Sequence, residues 1–205
     1  MSDQNNTSED DNNGIKVILV GESGTGKTNL ITVAAGFKFN SNSFTTTSCS
    51  YVQKIFKIND IEYKINLWDT IGQERYRSLT KIFLKDSKIV IFVYDITNRQ
   101  SFESLQFWKK IIDDVLGTTP IVGVVGNKND LYLNEKVKEE EGETFANSIG
   151  AKFLVTSAKD DPKSFSKFVE QLAEEYIGLS KDDNQRIESI MINRNNHEKK
   201  RERCC

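Results

Sequence analysis

Eight residues constrain this chain more than any others: GESGTGKT, Gly21 to Thr28. They follow directly on an apolar run, IKVILV (15–20), and lead into a helical pattern, NLITVAAG. A strand that breaks into a loop of G-x-x-x-x-G-K-[ST] spacing, and then into a helix, is the arrangement of a phosphate-binding loop. Its glycines let the backbone wrap closely, so that successive N–H groups and the helix N-terminus face one anion. Lys27 is then placed to reach the β- and γ-phosphates of a nucleoside triphosphate, and the Thr28 hydroxyl to ligate Mg²⁺. The bland reading, a glycine-rich turn that binds nothing, leaves the Lys-Thr pair unexplained. By itself the loop says nothing of the base.

Three more apolar runs have the same character: KIVIFVYDI (88–96), IVGVVGN (121–127) and KFLVTSA (152–158). Continuous Val, Ile and Phe bounded by Gly and polar turns suit strands of a parallel sheet covered on both faces. Helical patterns lie between and after them. Residues 101–116 put Phe102, Leu105, Trp108, Ile112 and Val115 on one face, and residues 163–177 do likewise with Phe165, Phe168, Val169, Leu172 and Tyr176. YVQKIFKI and IEYKINLW meet at Asn59-Asp60, which reads as a hairpin. The sum is an alternating α/β domain from about Gly14 to Ile177, with a mostly parallel sheet and one antiparallel strand. Residues 1–13, acidic and Asn-rich, have almost nothing to bury and are expected to be disordered, and residues 178–205 to form a flexible tail.

Composition removes several classes of function. With 205 residues and a net charge of −2, the chain suits one ordinary domain and offers no broad basic surface for nucleic acid. No apolar run nears the roughly 20 residues of a membrane span. The N-terminus is the opposite of a secretory signal, and Ser2 stands where N-myristoylation requires glycine. The single histidine, His197, sits in a polar stretch, which excludes a Ser-His-Asp hydrolase or a multi-His metal site. Cys49, Cys204 and Cys205 make no disulfide framework and fit a reducing compartment.

Ligands of such folds bind beyond the carboxyl ends of the strands. After the run IVGVVG comes Asn127-Lys128-Asn129-Asp130, and after KFLVT comes Ser157-Ala158-Lys159. A carboxylate such as Asp130 can accept from both N1–H and the exocyclic amino group of guanine. Adenine offers no donors there and would leave the carboxylate unpaired, which is how a site discriminates strongly. The same segments argue against a P-loop ATPase or nucleotide kinase.

GESGTGKT, WDTIGQE, NKND and SAK, in this order, resemble the motifs of the Ras-like small GTPases, over about Ile15 to Ile177. RYRSLT (75–80), YDIT (94–97), KINLW (64–68) and the terminal Cys-Cys resemble the Rab branch. The resemblance implies a three-layer P-loop GTPase domain around a six-stranded, mostly parallel sheet with one antiparallel strand. It implies GTP and GDP as substrate and product, Mg²⁺ as cofactor, and slow hydrolysis helped by an activating protein, since no arginine finger is evident. Gly21, Glu22, Ser23, Gly24, Thr25, Gly26, Lys27, Thr28 and Asn29 would hold the phosphates. Asn127 and Asp130 would fix guanine and Lys128 would pack along the base, with Ser157, Ala158 and Lys159 behind it. Ala158 would offer its backbone N–H to the base carbonyl. Thr28, Thr46 and Asp69 would serve Mg²⁺, Gly72 would touch the γ-phosphate, and Gln73 would orient the attacking water, with Lys27 and Thr46 completing the catalytic set. Counting forward from Lys27 and backward from Asp69, the family spacing lands on Thr46 both times. Geranylgeranyl groups on Cys204 and Cys205 would hold a monomer on the cytoplasmic face of an intracellular or plasma membrane, with a cytosolic pool. Expected partners are an exchange factor, an activating protein, effectors, and Rab escort and GDP-dissociation-inhibitor-type proteins, but no nucleic acid.

The chain departs from the family in three places. Thr47-Ser48-Cys49-Ser50-Tyr51 replaces an IGVDF-like stretch, FLKDS (83–87) replaces a YYRGA-like one, and Ile71 stands where alanine is usual. Isoleucine adds three carbons and is stiff at χ1. If overpacking of ~1–3 kcal/mol fell only on the GTP-bound state, it would slow hydrolysis by about 5- to 150-fold. That would make the protein a hydrolysis-impaired, GTP-loaded scaffold. If neighbouring residues have made room, Ile71 changes nothing.

Overall fold

The computed structural model describes residues 14–40, 50–70, 82–116 and 119–181. The apolar runs become one six-stranded sheet: β1 Ile15–Val20, β2 Ser50–Ile58, β3 Ile61–Asp69, β4 Ile89–Asp95, β5 Ile121–Asn127 and β6 Lys152–Val155. Their order is β2-β3-β1-β4-β5-β6. Every pairing is parallel except β2 with β3. All seven residues of β4 are buried, as a central strand covered on both faces requires. The register sets Val17 beside Leu67 and Ile89, so β1 lies between strands that end at the same edge.

The β2–β3 hairpin turns at Asn59 and Asp60, whose φ values of 50° and 64° are both left-handed. A two-residue loop of that shape matches the twist of the strands it joins. β2 is an edge strand with a period of two: Tyr51, Gln53, Ile55 and Lys57 are exposed, while Val52, Lys54, Phe56 and Ile58 face inward. Lys54 donates to the Ala34 carbonyl and, at 3.1 Å, to Ser166 Oγ. One amine thus ties an edge strand to two helices.

Those helices are α1 (Lys27–Ala34) and the last helix, 162–181. They cover one sheet face, where Leu30 and Ile31 pack with Phe165, Phe168, Val169, Leu172 and Ile177. The last helix runs to 181, beyond the end expected at Ile177, and Tyr176 sits at its half-buried border. The opposite face carries α3 (Leu105–Val115) and α4 (Glu139–Ser148), with Leu105, Trp108, Ile112 and Phe145 in its core. The result is the expected three-layer architecture.

Two helical details differ from expectation. The helix expected over 101–116 begins as a separate turn, α2 (Arg99–Glu103). Asn98 Oδ1 caps it by accepting from Gln100 N–H at 3.1 Å. It breaks at Ser104, whose hydroxyl bonds back to the Ser101 carbonyl at 2.9 Å in competition with the helix ladder. No helix was expected over α4, because only Gly142, Phe145 and Ala146 are buried along it. It is specified by its start instead. Glu141 accepts from the Lys138 N–H at 3.1 Å, and Glu139, Glu140 and Glu141 put negative charge on the positive end of the helix dipole.

Gly142 shows how tightly α4 sits. A Cβ there would stand 2.3 Å from Tyr94 Oη and 2.6 Å from Phe153 Cζ. Glycine to alanine within a helix ordinarily stabilises by about 0.5–1 kcal/mol. Gly142→Ala is expected instead to destabilise by ~1–3 kcal/mol through overpacking. Equilibrium urea unfolding would show a lowered midpoint at unchanged slope.

Candidate functional site

Parallel strands deliver their carboxyl ends to one edge of the sheet, and the expected motifs gather there. The loop after β1 curls because Gly21 and Gly26 take φ values of 145° and 93°. A Cβ on Gly21 would stand 2.1 Å from the Val93 carbonyl oxygen, and one on Gly26 would stand 2.3 Å from Asn127 Nδ2. Ser23 and Gly24 are exposed at the loop tip, while Thr25 is buried and its hydroxyl donates to the Glu22 carbonyl at 3.0 Å. Asn29 sits half-buried in the first turn of α1.

Lys27 is 5% exposed, and its amine donates to the carbonyls of Gly21 and Glu22, each at 2.8 Å. Burial pushes its pKa down to about 8, against the pull of Asp69 and Glu22 toward the charged form. An amine that titrates near 10.5 when unfolded and near 8 when folded opposes folding fully below about pH 8, and the penalty fades as pH rises toward 10.5. A bound phosphate would compensate for the hydration that burial has removed. Beside it, the Thr28 hydroxyl donates to Asp69 Oδ2 at 2.7 Å, joining α1 to the end of β3. A hydroxyl and a buried carboxylate are hard oxygen donors of the sort Mg²⁺ takes, with phosphates and water filling its other positions. Thr70, next in the chain, donates to the Leu19 carbonyl at 2.6 Å and holds β3 to β1.

The second half of the site turns on Asn127, which is 1% exposed. Its Nδ2 donates to the Thr25 carbonyl at 2.8 Å, and its Oδ1 accepts from the Ala158 N–H at 3.2 Å. One side chain therefore joins the loops after β1, β5 and β6. Asp130 Oδ1 accepts from the Ser157 hydroxyl at 2.7 Å, and Ser157 Oγ in turn accepts from the N–H groups of Lys159 and Asp160 at 3.2 and 3.1 Å. The Lys159 amine stands 3.7 Å from Asp130 Oδ2. A carboxylate has about four acceptor positions, so Asp130 keeps capacity for a ligand. Lys128 has a φ of 69°, which for a residue with a side chain costs about 1–2 kcal/mol. Bonds on either side hold it there: Asn129 N–H to the Thr156 carbonyl at 3.0 Å, and Leu131 N–H to the Lys128 carbonyl at 2.8 Å.

Gly21 to Asn29, Asp69, Asn127, Lys128, Asp130 and Ser157 to Lys159 thus meet at one edge, linked by direct bonds. Thr46, Ile71, Gly72, Gln73, Cys204 and Cys205 lie outside the described residues. Asp95, quoted within YDIT but not among the expected site residues, joins them here: its carboxylate stands 2.7 Å from the Lys128 amine. Its position as the last residue of a central strand was the available signal.

Comparison with known proteins gives the family. A family model described as the Ras family matches residues 16–177. The chain belongs to the Ras family. It resembles the "Ras-related protein Rab-25" of Homo sapiens at 36% identity over 189 residues, covering 92% of this chain and 87% of that protein. It resembles "Ras-related protein Rab-21" of Homo sapiens and of Bos taurus at 40% identity over 146 residues, or 71% of this chain and 65% and 66% of those proteins. The match thus spans just under two thirds of the Rab-21 relatives. These relatives set the chain within the Rab branch of Ras-like small GTPases, as its motifs indicated.

The Gly26–Asn127 approach yields a prediction about this Ras-family site. Gly26→Ala adds a methyl in a left-handed conformation against the Asn127 amide and should unhook it from Thr25. The expected destabilisation is ~1–3 kcal/mol in urea unfolding of the nucleotide-free protein.

Proposed function

We propose that this chain is a Rab-type switch: it binds GTP and GDP with Mg²⁺, hydrolyses GTP slowly, and works in intracellular membrane traffic. The observation that carries the reading is the Asn127 bridge, which links the phosphate loop to the segments holding Asp130 and Ala158. A triphosphate lying along the loop after β1 would have its base end within reach of Asp130. The family membership and the Rab-21 and Rab-25 likenesses support the same reading.

Each residue's proposed task follows from its chemistry. The backbone N–H groups of Gly21 to Thr28 cradle the phosphates, and Lys27 brings positive charge to the β- and γ-phosphates, where negative charge builds up in phosphoryl transfer. Thr28 and Asp69, with Thr46, would hold Mg²⁺, which when bound neutralises charge on the β- and γ-phosphates. Gly72 would meet the γ-phosphate and Gln73 orient the attacking water. Asp130 reads the guanine edge, Asn127 braces it, and Lys128 lines its face. An activating protein would supply the missing cationic group, and exchange factors, effectors and escort or GDP-dissociation-inhibitor-type proteins would complete the cycle. Prenyl groups on Cys204 and Cys205 would attach the chain to a membrane, since two lipids anchor stably where one does not. Among the described residues no helix is long and apolar enough to cross a membrane.

Two measurements test this. Calorimetry should give GDP at least ~100-fold tighter binding than ADP, the scale set by a buried acceptor left unpaired. Asp130→Asn should reverse the preference toward xanthosine diphosphate, because a carboxamide can donate to the 2-carbonyl where the carboxylate cannot. Equal affinity for GDP and ADP would sink the guanine assignment. In single-turnover hydrolysis of preloaded GTP, Gln73→Ala should lower the rate by about tenfold or more, the scale of one water-orienting group.

A further inference from the structure

YDIT, Tyr94 to Thr97, closes β4 at the edge where the site lies, yet none of its residues belongs to the expected nucleotide set. Asp95 is the last residue of that strand, register-paired with Asn127 and buried. Its Oδ1 accepts twice from Thr97, from the backbone N–H at 2.8 Å and from the hydroxyl at 2.7 Å. Its own N–H donates to Ser101 Oγ at 3.0 Å. The carboxylate is therefore fixed in direction before any lysine arrives, and Oδ2 meets the Lys128 amine at 2.7 Å.

The burial of this pair sets it apart from an ordinary surface ion pair. The Asp95 side chain is 10% exposed and that of Lys128 33%. A charge-assisted bond sheltered from water on one side is stronger than an exposed one and holds its geometry. Lysine is otherwise among the side chains with the most rotational freedom to lose, and freedom surrendered before binding is not charged against the ligand.

We infer that Asp95 is a positioning residue of the nucleotide site: it pins the Lys128 ammonium so that the lysine stem stands as a preset wall along the base. This rests on the nucleotide-site reading above and adds to it a residue that itself touches no nucleotide. The wall acts on the face of the base, so its effect is independent of the exocyclic amino group that Asp130 reads.

The test is release of a fluorescent GDP analogue from the full chain, with Mg²⁺ and excess unlabelled GDP, followed by stopped flow. Asp95→Asn keeps the acceptor that Thr97 uses and removes the charge that Lys128 uses. Release should become about tenfold faster, the scale of one charge-assisted hydrogen bond. The same factor should appear with the inosine analogue, which lacks the amino group. In a Lys128→Met background the acceleration should vanish. Should Asp95→Asn fail to fold by circular dichroism, Thr97→Val removes one of the two bonds that aim the carboxylate. It should speed release by about threefold, again only when Lys128 is present. Wild-type release rates in the folded variants, an undiminished effect without Lys128, or an effect that disappears with the inosine analogue would each overturn the inference. A wild-type chain that retains no guanine nucleotide would instead bring down the nucleotide-site reading, and this inference with it.

Discussion

The site depends on one primary amide. Asn127 donates to a carbonyl of the first loop and accepts from an N–H of the last. Both bonds are out of reach of water, where an unmade hydrogen bond costs ~1–3 kcal/mol. Segments more than a hundred residues apart in sequence are thereby held at hydrogen-bond distance from a single side chain at the end of β5. Without that brace, the loop after β1 would lose its direct bond to the loops after β5 and β6. Gly26 belongs to the same device, since only a residue lacking Cβ lets the amide come so close.

Much of this was legible beforehand, because the strands are buried on both faces and so appear as unbroken apolar runs. Ile121–Asn127 emerged at the bounds expected, β4 lost one residue at each end of its run 88–96, and β6 stopped at Val155, three residues short of its run. The nucleotide motifs were legible for a related reason: they sit at strand ends, where backbone geometry demands particular residues. What escaped notice had weak periodicity or a distant partner. Helix α4 shows three buried positions and is specified by its acidic start, which a search for apolar stripes overlooks. Ser104 breaks a helix by a hydroxyl bond that a pattern of apolar residues does not carry. Asp95 stood in the sequence only as part of YDIT, and it is the register of β4 on β5 that brings Lys128 to it.

The phosphate loop also shows how a favourable site can be made from an unfavourable one. Lys27 is enclosed so thoroughly that its charged form is less favoured than in water, and two backbone carbonyls are its nearest company. The folded chain holds an amine that a polyanion would relieve. Affinity built this way couples nucleotide binding to stability, since a ligand that binds only the native state shifts its unfolding by mass action.

The hairpin at the sheet edge has a mechanical consequence. Side chains on β2 alternate between solvent and core, so sliding it by one residue against β3 would turn Val52, Phe56 and Ile58 outward and carry Lys54 away from Ala34 and Ser166. A slide by two would restore the alternation but leave Lys54 about 7 Å out of place. Small slips of β2 along β3 are therefore resisted twice, by the alternation of its side chains and by the reach of one amine.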